Sequence, residues 1–289
     1  MAGPGSAKAV RQRGIAGLSG WIRPADMSTK IHPSAIVDRG AELAADVELG
    51  PYCVIGPKVR LAEGVKLISH VSIAGNTSIG PRTVISPFAA LGHPPQDLKY
   101  KGEDTRLIIG ADNIIRENAC VHVGTVTGRR ETVIGNGCFL MNGAHIGHDC
   151  IVGDKIVFST HAVLGGMAVV GSNVILGGLC AIHQFCRVGV GAFIGGGAPV
   201  VGDVIPFGMV DNHGRLHGLN VIGLKRRGVA RETINELRAV YRELFHGEGY
   251  FEDRLAAVGW RHAGSPEVMT VIDFINAGEK RPLCVPRPE

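Results

Sequence analysis

His148, Gly166 and Gln184 stand eighteen residues apart in succession, and Asp149 follows His148 directly. If the chain returned to the same edge every eighteen residues, the three would form a column. Such a column offers an imidazole base, a backbone N–H with no side chain in front of it, and an amide for a polar substrate. An adjacent aspartate fixes the imidazole tautomer and stabilises its cation. That set suits proton abstraction coupled to stabilisation of an oxyanion. A zinc site is the alternative on residues alone, because His122, His145, His148, His161 and His183 all lie in the repeating part of the chain. Against it, His145 and His148 are only three apart on a flat strand and turn.

The elements that would build such a column are visible in the periodicity. From Ile31, steps of six give Val37, Leu43, Leu49, Ile55, Leu61, Leu67, Ile73, Ile79, Ile85 and Leu91. A second run goes from Ile134 through Leu140, Ile146, Val152, Phe158, Leu164, Val170, Leu176, Ile182, Val188 and Ile194 to Val200. All 23 positions are apolar in a chain that is 45% hydrophobic, an outcome with a chance probability on the order of 10⁻⁸. Neither a helix, near 3.6, nor a lone strand, at 2, has this period. Hexapeptide repeats do, three strands making each 18-residue coil of a parallel β-helix. Small residues recur four places after the anchors, among them Cys53, Cys138, Cys150, Cys180 and Cys186. Packing inside the coil is therefore expected of these five thiols. Cys120 and Cys284 fall outside the pattern, with no catalytic context.

The hexads break at 93–106, a loop containing HPPQDLKYKGED, and again at 125–132. Loops projecting from a rigid coil are where binding groups tend to sit, although inert insertions look the same in sequence. After Pro206 the pattern ends. Ile234, Leu237, Val240, Tyr241, Leu244 and Phe245 take helical spacing, and Ser265–Pro266 reads as an N-cap and first-turn proline of a helix ending near Gly278. The expected organisation is a disordered extension over 1–29 or an upstream start with Met27 the initiator, with a transit peptide as the lesser alternative, then a β-helix over 30–205 and a small helical domain over 206–289.

Composition narrows the function classes. A net charge of +4 over 289 residues leaves no general nucleic-acid footprint. No run of 18 apolar residues and no secretory h-region are present, so no stable membrane insertion is expected. Seven cysteines without paired spacing fit a reducing compartment, and the expected location is cytoplasmic.

GHPPQDLKY, GAHIGHDC, AIHQFC and GLKRRG, in that order on a hexapeptide scaffold with a helical end, resemble the UDP-N-acetylglucosamine 3-O-acyltransferases. The resemblance runs from about Ile31 to the last helices. It implies a left-handed β-helix and transfer of a 3-hydroxyacyl chain from acyl carrier protein to UDP-N-acetylglucosamine, the first step of lipid A synthesis. It implies a homotrimer with active sites between subunits and no cofactor or metal. By the same resemblance His148 is the general base, Asp149 its orienting partner, and Gly166 the oxyanion-hole N–H. His145, His183 and Gln184 surround the sugar, Asp97 and Lys99 lie near the substrate, and His122 lines the cleft. Asn220, Arg226 and Arg227 match positions that hold the nucleotide and its phosphates, and Gly196 matches the residue that rules acyl length. The chain departs from the family pattern at Gly143, Met167 and Ile222. On the residues alone, a non-catalytic β-helix scaffold and a zinc-dependent carbonic anhydrase remain the competing classes.

Overall fold

Two-residue strands joined by sharp corners need backbone that turns back on itself at every corner. Asp149, Met167 and Phe185 do this with φ of 60°, 63° and 67°, one coil apart. The left-handed region is costly for a residue with a Cβ, so the surrounding coil has to hold it there. A computed structural model describes residues 29–278 and 281–287. The expected extension over 1–29 lies outside these residues except for Thr29.

Among the described residues, twenty-eight short strands form three sheets of eleven, nine and eight strands, wrapped into a left-handed parallel β-helix. Register advances by eighteen from coil to coil, as in Phe139↔Val157, Val157↔Ile175 and Ile175↔Phe193. From Leu49 onward every six-step anchor named above is buried, and together with the small inward residues they form one continuous core. Each buried Leu, Ile or Val side chain contributes roughly 1.5–3 kcal/mol. The first coil departs from expectation. Ile31 is 45% exposed, with Val37 and Leu43 half-buried, because their strands end the three sheets and no coil among the described residues covers them.

The two sequence breaks are insertions between coils that stay in register. Asn76 pairs with Arg106, a step of 30 in place of 18 and so twelve extra residues; Arg106 pairs with Glu131, a step of 25 and so seven extra. The first sheet continues past residue 205 through strand Gly208–Val210, which pairs antiparallel with Leu216–Leu219. Four helices follow among the described residues: α1 (Val221–Arg226), α2 (Arg231–His246), α3 (Phe251–Arg261) and α4 (Pro266–Asn276). The apolar spacing in α2 buries Ile234, Leu237, Val240 and Leu244. Ser265 sits at the N-cap of α4, but its hydroxyl donates to Glu236 Oε2 at 2.8 Å instead of closing the helix. Helix α3, which the sequence analysis does not assign, has acids in its first turn and Arg261 in its last, a charge order that suits the helix dipole. Buried Asp203 ties helix to coil: Arg187 Nε donates to it at 2.7 Å, and the same guanidinium lies 4.3 Å over the Phe274 ring of α4.

Candidate active site

His148 and Asp149 occupy one corner of a coil, and the structure shows how that corner is held. The His148 imidazole is mostly covered, Asp149 is fully buried, and His148 Nδ1 lies 2.8 Å from Asp149 Oδ2. The carboxylate also accepts from Thr125 N–H, from Thr125 Oγ1 at 2.6 Å and from Arg129 N–H at 2.7 Å. A carboxylate ringed by donors acts as an acceptor, so Nδ1 carries the imidazole proton and the Nε2 lone pair is left free. Asp149 N–H donates in turn to Thr132 Oγ1 at 2.8 Å.

Thr125, Arg129 and Thr132 all belong to the seven-residue insertion or its edges. Arg129 further donates from its guanidinium to the carbonyls of Asp149 and Met167. At Gly128 a Cβ would lie 2.4 Å from the Asp149 carboxylate, so only glycine lets the loop close this tightly. Sequence reasoning did not single out Thr125 or Arg129. The interruption of the hexads at 125–132 was the one available signal.

Gly166 is the neighbour of His148 in the next coil. Met167 N–H donates to His148 O at 2.8 Å, and Phe185 N–H to Gly166 O at 3.0 Å, which stacks His148, Gly166 and Gln184 in the expected column. A Cβ on Gly166 would meet His148 Nε2 at 2.6 Å. The imidazole therefore lies against the side-chain-free position, and the Gly166 N–H has no acceptor among the described residues.

Around this corner, His145 stands half-buried on its strand, and its ring centroid is 5.3 Å from that of buried His122. Burial holds both imidazoles below their ordinary titration range, and each imidazolium would also repel a charge on its neighbours. Only Cys120, His122 and His145, of the groups weighed for zinc and their surroundings, bring ligand atoms together, all within 4.8 Å of one another. His183 is exposed, with Nδ1 at 3.1 Å from Gln184 O. In the twelve-residue loop, Asp97 Oδ1 accepts from Lys99 N–H at 3.0 Å while the Lys99 side chain points to solvent.

The glycine columns divide into two kinds. A Cβ on Gly177 would lie 2.6 Å from Gly196 N, so packing alone demands glycine there; on Gly196 it would meet only Gly178 O, at an ordinary 3.4 Å. The Gly178–Gly196 strip is thus open on its outer side.

The nucleotide candidates sit elsewhere. Asn220 is buried and caps α1, accepting from Gly223 N–H at 2.9 Å and donating to Gly191 O at 3.0 Å. Its amide is thereby committed to the protein on both sides. Arg227 lies over Phe207, 5.7 Å from the ring centroid, and beside Gly191, a different corner from the one that carries Asp149, Met167 and Phe185. Neither Arg226 nor Arg227 has a carboxylate partner among the described residues. Within one chain Arg227 thus stands at another corner than His148.

Comparison with known proteins gives a consistent picture. Residues 203–284 match the model of UDP N-acetylglucosamine O-acyltransferase, domain 2, and residues 131–166 match six bacterial transferase hexapeptide repeats. An acyl-(acyl-carrier-protein)–UDP-N-acetylglucosamine O-acyltransferase of Azorhizobium caulinodans is 50% identical over 257 residues, covering 89% of this chain and 95% of that protein. Another from Caulobacter vibrioides is 53% identical, over 70% of this chain and 77% of its own. Among solved structures, the UDP-N-acetylglucosamine acyltransferase of Francisella novicida superposes with a TM-score of 0.86 at 34% identity, covering 90% of this chain and 95% of that one. That of Moraxella catarrhalis gives 0.83 at 40% identity, over 89% of this chain and all of its own.

Proposed function

This chain belongs to the acyl-(acyl-carrier-protein)–UDP-N-acetylglucosamine O-acyltransferase family, and from that premise we propose that it moves a 3-hydroxyacyl chain from acyl carrier protein to the sugar 3-hydroxyl of UDP-N-acetylglucosamine, opening lipid A synthesis. The observation that carries the mechanism is the His148–Asp149 pair, with its ring against the side-chain-free position of Gly166, whose N–H has no acceptor among the described residues. His148 Nε2 takes the proton of the 3-hydroxyl as the oxygen attacks the thioester carbonyl. The oxyanion that forms accepts from Gly166 N–H. Collapse breaks the C–S bond, and the imidazolium returns its proton to the carrier thiolate. Asp149, fixed by the 125–132 loop, holds the ring in the tautomer this requires.

His145, His183, Gln184 and His122 line the sugar's side of the cleft, and Asp97 and Lys99 approach it from the long loop. Arg226 and Arg227 suit the diphosphate because a guanidinium donates paired hydrogen bonds to phosphate oxygens; Asn220 acts there by fixing the start of α1. Since Arg227 stands at another corner than His148, a homotrimer that places one subunit's α1 beside its neighbour's dyad completes the site. Exposed Arg238 and Arg242 on α2 offer an acidic carrier protein a basic surface. No helix among the described residues is long and apolar enough to cross a membrane, in keeping with a cytoplasmic enzyme.

An acyl-transfer assay with UDP-N-acetylglucosamine and 3-hydroxyacyl carrier proteins tests the reading. His148→Ala should lower turnover by roughly 10²- to 10⁴-fold with the fold intact. Near-normal turnover in a folded variant removes His148 from the reaction, and no transfer by the parent chain removes the proposal.

A further inference from the structure

We propose that Cys120, His122 and His145 bind one thiophilic divalent cation such as Zn²⁺ or Co²⁺, and that the bound ion obstructs acyl transfer from its position beside the catalytic corner. The topology puts the three side chains on one outer face. Val121 points into the core, so Cys120 and His122, two apart on the same strand, both point outward. Cys120 pairs in register with His145 on the next strand. Cys120 Sγ and His122 Nε2 are 3.5 Å apart. In a tetrahedral centre with Zn–S near 2.3 Å and Zn–N near 2.0–2.1 Å, the two donor atoms are also about 3.5 Å apart. The pair therefore needs little movement to share an ion, and His145 completes a group within 4.8 Å.

The protonation pattern favours the same outcome. His122 Nδ1 lies 2.9 Å from Pro94 O. A carbonyl only accepts, so Nδ1 bears the proton and the Nε2 lone pair faces the thiol. A backbone carbonyl on the far ring nitrogen is the outer support that metal-binding imidazoles usually have. Burial keeps His122 and His145 neutral, as ligands must be. It also raises the Cys120 thiol, so the incoming cation has to expel that proton to solvent as the metal–sulfur bond forms. Three protein ligands leave a fourth position open toward the cleft, for water or another small ligand. The obstruction rests on the proposed function, which puts His122 and His145 beside the acceptor sugar; binding of the ion does not.

Cobalt reports the two separately. Titrating the full chain with Co²⁺ should give one ion per chain, the intense visible bands of a four-coordinate ion and a near-ultraviolet thiolate-to-cobalt band. Cys120 is the one cysteine of seven that is not buried, so Cys120→Ala should abolish the thiolate band and His145→Gln should weaken cobalt binding at least tenfold. Cobalt bound without a thiolate band, or a band that survives in Cys120→Ala, overturns the site. In the transfer assay, Zn²⁺ should inhibit the parent chain, while Cys120→Ala should retain turnover with zinc sensitivity reduced at least tenfold. Equal zinc inhibition of both proteins overturns the obstruction. A chain that binds cobalt as expected but transfers no acyl group retains the metal site and loses the proposed function.

Discussion

Gly166→Ala adds a single methyl group, and the structure gives the size of its effect. The new Cβ would lie 2.6 Å from His148 Nε2 and 2.7 Å from Cε1. To restore an ordinary contact near 3.4 Å, the ring has to retreat by about 0.8 Å. It cannot do so freely, because Nδ1 is held by Asp149, and Asp149 is held by Thr125 and Arg129. A displacement of this size at a reacting centre costs on the order of 10²-fold in rate, about 2.7 kcal/mol of transition-state stabilisation. Alanine keeps its backbone N–H, so under the proposed mechanism the loss comes from the misplaced His148 ring and not from a deleted oxyanion donor.

The measurement is single-turnover acyl transfer by the parent and Gly166→Ala, with thermal unfolding and equilibrium binding of UDP-N-acetylglucosamine measured alongside. The chemical step should slow about 10²-fold while the unfolding midpoint and sugar-nucleotide affinity stay close to the parent's. An unchanged chemical step would refute the placement of the His148 ring against Gly166. A slow variant that has also lost its thermal transition would trace the defect to the coil instead.

Three further outcomes are expected. Asp203→Asn removes the buried charge that Arg187 faces at 2.7 Å and should destabilise the chain by about 3 kcal/mol in denaturant unfolding, whereas an unchanged midpoint would mean that α4 docks without this pair. His122 and His145 titrate below the ordinary value near 6.5 when folded; the unfolded chain therefore binds more protons between the two values, and stability falls as pH drops through that window. His122→Asn with His145→Asn should flatten the loss of stability below about pH 6.5, measured as unfolding midpoint against pH, and an unaltered acid limb would assign that loss to other groups. Gly196→Met fills the open strip beside Gly178, and should shift preference to shorter 3-hydroxyacyl donors because each buried methylene contributes about 0.8 kcal/mol only where there is room for it; a length profile identical to the parent's would show that Gly196 does not set chain length.

The coil was legible because its signal is repeated. A buried aliphatic every six residues leaves one arrangement in which all such residues face inward, and the five inward cysteines followed from the same rule. Burial was overestimated only in the first coil, at Ile31, Val37 and Leu43, because periodicity states which way a side chain faces and not whether another coil lies beyond it. The helices were harder. The stripe in α2 stood out through its spacing, while α3 mixes acids, alanines and a tryptophan with Val258 alone fully buried, too weak a stripe to register.

The column of the candidate site was legible to the same extent as the repeat. His148, Gly166 and Gln184 align through coil arithmetic, and arithmetic fails where the period breaks. Cys120 looked idle in sequence because it is out of phase with the inward cysteines. Being out of phase is what turns it outward, toward His122 and His145. The 125–132 break gave no hint of its own content, yet its seven extra residues return the chain over Asp149 and supply three of that carboxylate's donors. A regular corner could not do this, since neighbouring coils already use their N–H groups on one another. An aspartate buried in an unbroken coil would have been left short of donors and driven toward its neutral form. The interruption is thus what supplies a buried carboxylate beside His148 with its donors, and a β-helix that buries a carboxylate at such a corner needs an irregular segment above it.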